Sequence, residues 1–376
     1  MFYNYLKFYN FICTLFGQRR PTDLVPLQKK SSGVKFCYRM WSIVIAIIII
    51  ANGVDIDVKK LYNLKTNDNT ATINEIIVSL IVILSNTKTK DVLYINLYNV
   101  FNKIITGFKI ETDKIKKFVI KLHIGVVALS LTFIGFIILE IILDMNPPFR
   151  LLIRIPLFLS MIHLIIHLSL MLALLKIINQ YMFKLFTKPK PGGLDFLFSD
   201  VMKSNRRSIS NYCAISFHDS KDTEYFDLKY LCKVYDDLCT SMQILQKIHG
   251  TEILVTVWLM FSSAVCAVAL ISGDTRNHVL VESIRGLLTF FWYTVGCVLD
   301  DQIRQEVDRI NLLIIKQQID FSCDARTKEI LGVFKLAITS NSLQFTSYNL
   351  YRLNYTTMFS TAVSVITYSI IVIQLF

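Results

Sequence analysis

Leu164-Ile-Ile-His-Leu-Ser-Leu-Met-Leu-Ala-Leu-Leu175 is the stretch on which the fold turns. Ten of its twelve side chains are apolar, and a soluble surface does not display such a run. It lies in an apolar segment, 151–177, longer than the roughly 20 residues a helix needs to cross the hydrocarbon core of a bilayer. Working outward, Leu131-Thr-Phe-Ile-Gly-Phe-Ile-Ile-Leu139 marks another segment, 118–143, and further ones fall at 35–53, 71–86, 252–272, 279–299 and 354–376. The segment at 71–86 has a short apolar run, and the one at 279–299 carries Glu282 and Arg285. With 13 Gly and 7 Pro in 376 residues, turn punctuation is sparse, which favours long helices over many short strands. The expectation is an all-α polytopic membrane protein with seven transmembrane helices.

Composition agrees with that class. The chain is 53% hydrophobic and 18% charged, against about 25% charged in ordinary soluble domains, and its mean hydropathy is +0.48. The net charge of +12 sits between the apolar runs, so loops facing anionic lipid are a better account than nucleic-acid binding. Lys and Arg number thirty-two in the N-terminal segment and the second, fourth and sixth connections, against five (Lys59, Lys60, Lys65, Arg150 and Arg276) in the other three loops. The positive-inside rule then places the N-terminus in the cytoplasm and Phe376 outside, in the plasma membrane. A G-protein-coupled receptor has the opposite orientation. The first apolar patch, Phe2 to Phe16, is interrupted by Asn4, Lys7 and Asn10 and does not read as a signal peptide. The eight cysteines contain no CxxC pair, and no disulfide framework, metal site or cofactor is expected.

These segments divide the chain into a cytoplasmic N-terminal segment (1–34), four spans (35–177), a cytoplasmic connection (178–250), two spans (251–299), a second cytoplasmic connection (300–353) and a last helix (354–376). In the first connection, Lys188-Pro-Lys-Pro-Gly-Gly193 is a turn-rich break. Beyond it Leu228, Leu231, Val234, Tyr235, Leu238, Met242, Leu245 and Ile248 recur at steps of three and four, which predicts an amphipathic helix running into the fifth span. Ile310, Leu313, Ile314 and Gln317 extend the sixth span likewise. Solvated connecting helices are one reading, but apolar stripes need partners, which favours a helical cytoplasmic anchor layer.

On the last helix Ser360, Ser364, Thr367, Ile371 and Gln374 are spaced 4, 3, 4 and 3 apart and share one face. Such a stripe can meet other helices through small polar side chains, or it can meet water. In the second case the hydroxyls replace part of an ion's hydration, Ile371 forms an apolar constriction and Gln374 an uncharged dipole at the outer mouth. The face carries no Asp or Glu, so strong selectivity among cations is not expected. One helix cannot enclose a pore, so this reading requires several copies around an axis.

Thr367-Tyr-Ser-Ile-Ile-Val-Ile-Gln-Leu-Phe376 resembles the signature that closes the last helix of insect gustatory receptors. Thr367, Tyr368 and Gln374 match it, Ser369 stands where an apolar residue is usual, and Leu375 takes the Phe place with Phe376 one later. Phe345-Thr-Ser-Tyr-Asn-Leu-Tyr-Arg-Leu-Asn354 resembles the polar lead-in. The resemblance implies a tastant-gated cation channel built as a homotetramer or a tetramer with related receptors. It also implies a pore lined by the last helix, Leu375 included, a cytoplasmic anchor, and a pocket for a sugar or bitter compound in the outer half of each subunit. The partners implied are the tastant, permeating cations and the lipid bilayer.

Polar residues at membrane depth are candidates for that pocket: Glu140, Arg154, His163, Ser262, Glu282, Arg285 and Trp292, with Ser263, Trp258, Phe290, Phe291 and Tyr293 nearby. Bland roles compete with this one. Glu282 and Arg285, three apart, can neutralise each other; Arg154 can reach headgroups; the aromatics can simply pack. His163 and His167 lack a third metal ligand. There is no Gly-rich phosphate loop, GxSxG or HExxH, and no enzyme activity is expected. Asp300 and Asp301 read as a solvated helix end. A G-protein-coupled chemoreceptor and a secondary transporter are the rival readings; the charge bias opposes the first, and no internal repeat supports the second.

Overall fold

The computed structural model describes residues 37, 40–50, 76–83, 88–107, parts of 124–142, 147–187, 221–271, 276–320 and 324–375. The N-terminal segment before 37, the break at 188–193, Glu140 and Phe376 lie outside the described residues. The described chain is helical apart from one hairpin. The longer elements are α1 (Lys88–Gly107), α2 (Pro147–Phe186), α3 (Lys221–Ile271), α4 (Arg276–Ile319), α5 (Ala325–Ser340), β1 (Thr346–Ser347), β2 (Tyr351–Arg352) and α6 (Tyr355–Leu375). Helical segments at Met40–Ile50 and across 76–83 precede them.

Length sets the architecture. At 1.5 Å per residue the 51 residues of α3 span about 76 Å and the 44 of α4 about 66 Å. A bilayer core is about 30 Å thick, so both helices project well beyond it. Two described stretches, Arg154–Phe186 and Asp227–Val268, are long and apolar enough to cross a membrane. Met40–Ile50 and Tyr355–Ile371 are shorter apolar helices. Large apolar side chains such as Ile47, Leu131, Ile142, Leu287, Phe359 and Ile366 stand exposed. Lipid accepts such a surface, whereas water does not. The fold is all-α and polytopic.

The stripe on the first half of α3 is buried from Leu228 through Ile248. Burying a Leu or Ile side chain contributes about 1.5–3 kcal/mol, so this face fixes how α3 lies among its neighbours. It packs into one continuous core with α1, the second half of α2, Ile310 and Ile314 of α4, and Phe334 of α5. Tyr235 meets Phe334 with ring centroids 5.7 Å apart. Helix α1 runs antiparallel to α3, with Tyr94 beside His249 at one end and Lys103 bonded to Asp237 at 2.8 Å at the other. Tyr94, Tyr98, Phe101 and Ile105 of α1 line up at steps of 4, 3 and 4 and are buried. The sequence reading saw only a basic connection there. At the end of α1, a Cβ on Gly107 would collide with the Tyr230 hydroxyl.

The segment leading into α6 is sewn to this bundle. Tyr235 donates to the Asn341 carbonyl at 3.2 Å, Gln246 to the Gln344 carbonyl at 2.6 Å, and Ser347 to the Gly250 carbonyl at 2.6 Å. At the hairpin tip Tyr348 and Asn349 have φ of 51° and 57°, a left-handed pair that costs about 1–2 kcal/mol per residue. The Tyr348 hydroxyl, 2.7 Å from that of Thr251, pins the strained turn to α3.

Asp300 corrects the reading of a solvated helix end. It is 4% exposed and accepts the Phe345 N–H at 2.9 Å, because the 341–353 segment folds back over it. Burial pushes its carboxyl up to about 8, against the pull of the Phe345 hydrogen bond; Asp301 adds to the rise and Arg304 opposes it. A folded-state pKa above the unfolded value of about 3.9 makes its contribution whole in acid and lost as pH rises through about 8. Asp300→Asn keeps an acceptor for Phe345 and carries no charge. The apparent Tm of the wild type in detergent should therefore fall relative to Asp300→Asn between about pH 5.5 and 8.5. Parallel curves for the two proteins would show that Asp300 does not take up a proton on folding.

Candidate functional site

Where α2, α3 and α4 meet Phe133, a cavity remains. The cavity holds about 60 Å³, room for about four to six waters at 10–15 Å³ each. Its walls are mainly apolar: Phe133, Leu157, Phe158, Met161, Leu259 and Leu288. Phe133 stacks on Phe158 at 4.1 Å, and Phe158 meets Trp292 edge-on at 5.2 Å. Arg154, Thr256, Arg285, Thr289 and Trp292 complete the lining, presenting mainly carbon to the space. Thr256 and Thr289 donate to the carbonyls of Glu252 and Arg285 at 2.8 and 2.9 Å, bonds that hold both hydroxyls against their own helices. The indole N–H of Trp292 is buried and meets no acceptor among the described residues.

The candidates read from sequence separate into those on this wall and those elsewhere. Arg154, Arg285 and Trp292 are brought together on it. Glu282 lies one turn from Arg285 and pairs with its Nη2, and Arg285 Nε also donates to Ser263 Oγ at 3.1 Å. Ser262 and Ser263 both donate to the Leu259 carbonyl, at 3.1 and 2.7 Å, and both stay off the wall, but Arg285 reaches only Ser263. His163 also stands off it, buried with its ring 6.2 Å from Tyr94 and 5.8 Å from His167. Among the described residues no group of three metal-ligating side chains forms.

Beneath the cavity lies a polar node that the sequence reading missed. Glu252 of α3 is 1% exposed and accepts from Lys90 of α1 at 3.3 Å. Ser160 of α2 and His249 Nδ1 also bond to it. A carboxylate only accepts, so the Nδ1 proton points at Glu252. His249 Nε2 lies 3.3 Å from the Tyr94 hydroxyl. Thr256, one turn above Glu252, touches Met161 Sδ at 3.6 Å on the cavity floor. The only local signal for this node was a Lys and a Glu beside apolar runs.

The stripe of the last helix is the third feature. Ser360, Thr367, Ile371 and Gln374 are exposed and Ser364 is half-buried; Leu375 ends the helix, its side chain undescribed. Ser364 and Thr367 donate to the carbonyls of Ser360 and Val363, each at 2.9 Å. An adjacent side, about 100° round the helix, meets the bundle: Thr361 is buried against Tyr351, and Tyr368 meets Phe261 at 5.0 Å.

The family model described as 7tm chemosensory receptor matches residues 6–375. The chain belongs to the 7tm chemosensory receptor family. No curated protein matches it. Among solved structures, the receptor is similar to the insect olfactory receptor OR5 from Machilis hrabei, with a TM-score of 0.69 and 11% identity over 99% of this chain and 98% of that one. The same protein in complex with eugenol gives a TM-score of 0.67 at 11% identity, covering 100% and 98%. At that identity the likeness shows the fold alone; membership of the family makes the chain a multi-pass membrane protein. The resemblance drawn from Thr367, Tyr368 and Gln374 thus holds at the level of the chemosensory receptor family.

Removing one member of the node tests its role in this receptor. Glu252→Ala strands the Lys90 ammonium and should cost about 3–5 kcal/mol, seen as a lower apparent Tm and poor recovery from membranes. Replacing the pair together, Lys90→Met with Glu252→Leu, should restore much of that loss. A double variant as unstable as the single one would show that the pair itself is not what holds these helices.

Proposed function

We propose that this receptor is a ligand-gated, non-selective cation channel of the gustatory type, assembled as a homotetramer or with related receptors, and not an enzyme. The observation that carries the reading is the polar stripe on α6. Its residues are largely exposed and lie beside, about 100° round the helix from, the side that meets the subunit's own bundle. Ser364 and Thr367 bond their hydrogens one turn back, but an amide such as that of Gln374 at membrane depth calls for water or another protein surface. Several copies around an axis meet that requirement, with Ser360, Ser364 and Thr367 along the conduit, Ile371 as its narrow apolar point and Gln374 and Leu375 at the mouth. In this reading the N-terminus is cytoplasmic, the C-terminus is extracellular and the membrane is the plasma membrane, as the charge bias supports.

The cavity beside Trp292 is the ligand site in this reading. OR5 in complex with eugenol, a small aromatic molecule, makes a bundle cavity a reasonable place for one. Leu312, Ile319, Val333 and Leu336 leave apolar surface on the lower bundle, which suits packing between subunits in an anchor layer. A ligand opens the pore by binding the open arrangement more tightly than the closed one.

Gln374→Ala should change single-channel conductance or cation preference while the ligand concentration for half-activation stays within about threefold. The measurement is single-channel recording in excised patches without added nucleotide. Unaltered conductance and permeability would remove Gln374 from the conduction path. Absence of any current in such patches, with ligand-evoked signals in intact cells, would favour a receptor coupled to other proteins.

A further inference from the structure

Three apolar segments bounded from sequence, 252–272, 279–299 and 354–376, have one end at a common level in the fold. Ser347 and Tyr348 bond to Gly250 and Thr251, just before the first segment. Phe345 donates to Asp300, just after the second. The third begins two residues past β2. The hairpin β1–β2 therefore stands where the hydrocarbon ends, in the headgroup layer of roughly 5–7 Å on that side of the bilayer.

What the hairpin presents there suits lipid better than water. Leu350, at its tip, is 81% exposed, the most exposed large apolar side chain among the described residues. The exposed Tyr348 ring lies over Gly250, where a Cβ would come within 3.4 Å of it. The Leu350 N–H closes the turn on the Ser347 carbonyl at 2.9 Å, across the left-handed Tyr348 and Asn349. A tyrosine seldom takes that conformation unless other contacts hold it. Arg352 is exposed, and so is Lys247, one turn before Thr251 on α3. Tyr355 is exposed at the head of the apolar α6 face that carries Phe359, Ile366 and Ile370. Tyrosines settle at headgroup level, a leucine beside them reaches acyl chains, and Lys and Arg gain from anionic headgroups.

We propose that the hairpin is a lipid-binding site at the membrane interface: Leu350 enters the adjoining leaflet, and Arg352 with Lys247 selects anionic phospholipid headgroups. The site does not depend on whether the receptor conducts ions. Its depth and its two cations point to lipid; a second copy of the chain is the occupant that the experiment sets against it.

Full-length receptor with p-benzoylphenylalanine in place of Leu350 is reconstituted in vesicles of equal phosphatidylserine and phosphatidylcholine, irradiated and digested. Mass spectrometry identifies what is attached at position 350. Lipid should predominate, with phosphatidylserine favoured roughly fivefold. Lys247→Gln with Arg352→Gln, both exposed positions, should bring that ratio within about twofold. The same photoreactive residue in place of Val333, exposed on α5 and outside the apolar segments, should collect little lipid. Attachment mainly to a second copy of the chain would make the tip a subunit contact and overturn the proposal. So would the absence of lipid at position 350, as much lipid at position 333, equal labelling by the two lipids, or a phosphatidylserine preference that survives the double substitution.

Discussion

The buried carboxylate of Glu252 is the constraint on which the arrangement depends. A charge at 1% exposure persists only where partners surround it. Those partners come from three helices: Lys90 from α1, Ser160 from α2 and His249 from its own α3. Satisfying one side chain therefore fixes the relative height of all three helices. A slip of one residue along any of them would strand a buried charge, an error far more costly than the loss of one apolar contact.

That height sets the position of everything that concerns function. One turn toward the α3 C-terminus, Thr256 reaches the cavity floor. One and two residues toward its N-terminus, Thr251 and Gly250 receive the hairpin through Tyr348 and Ser347. The hairpin passes directly into α6, and Tyr351 joins Tyr293 of α4 to Thr361 of α6. Cavity, node, strained turn and last helix thus form one contiguous chain of contacts. Coupling between a ligand and a pore requires a two-state element somewhere along such a chain. The left-handed pair Tyr348 and Asn349 lies on this chain of contacts and is held by outside contacts rather than by local preference.

Much of this was legible in the sequence where the signal is local. The apolar run of α2, the α3 stripe from Leu228 to Ile248 and the stripe of α6 are periodic patterns whose meaning needs no distant partner. Pairings across the chain were not legible. Lys90 made 88–107 look like a basic connection, because the carboxylate that permits its burial lies 162 residues away. Asp300 looked like a solvated helix end for the same reason, since its cover arrives with Phe345. Ser262 and Ser263 show a finer limit. They differ by about 100° of helix rotation, and contact with Arg285 goes to Ser263. Neighbouring residues alone do not fix that rotation.

The last helix carries two exposed faces of different character. Phe359, Val363, Ile366 and Ile370 form one exposed face, and Ser360, Thr367, Ile371 and Gln374 another, offset by about 100°. Lipid suits the first face and not the second. The hydroxyl hydrogens of Ser364 and Thr367 are absorbed by carbonyls one turn back. The amide of Gln374 has two donors and an acceptor, too many for its own helix end to satisfy. In hydrocarbon those groups would remain costly to expose. Turning the polar face toward an axis shared with other subunits places the amide and hydroxyls against water or each other, and lets the neighbouring apolar face seal against lipid or the next subunit. In the proposed assembly both faces, of opposite character and left uncovered by the chain's own bundle, find partners.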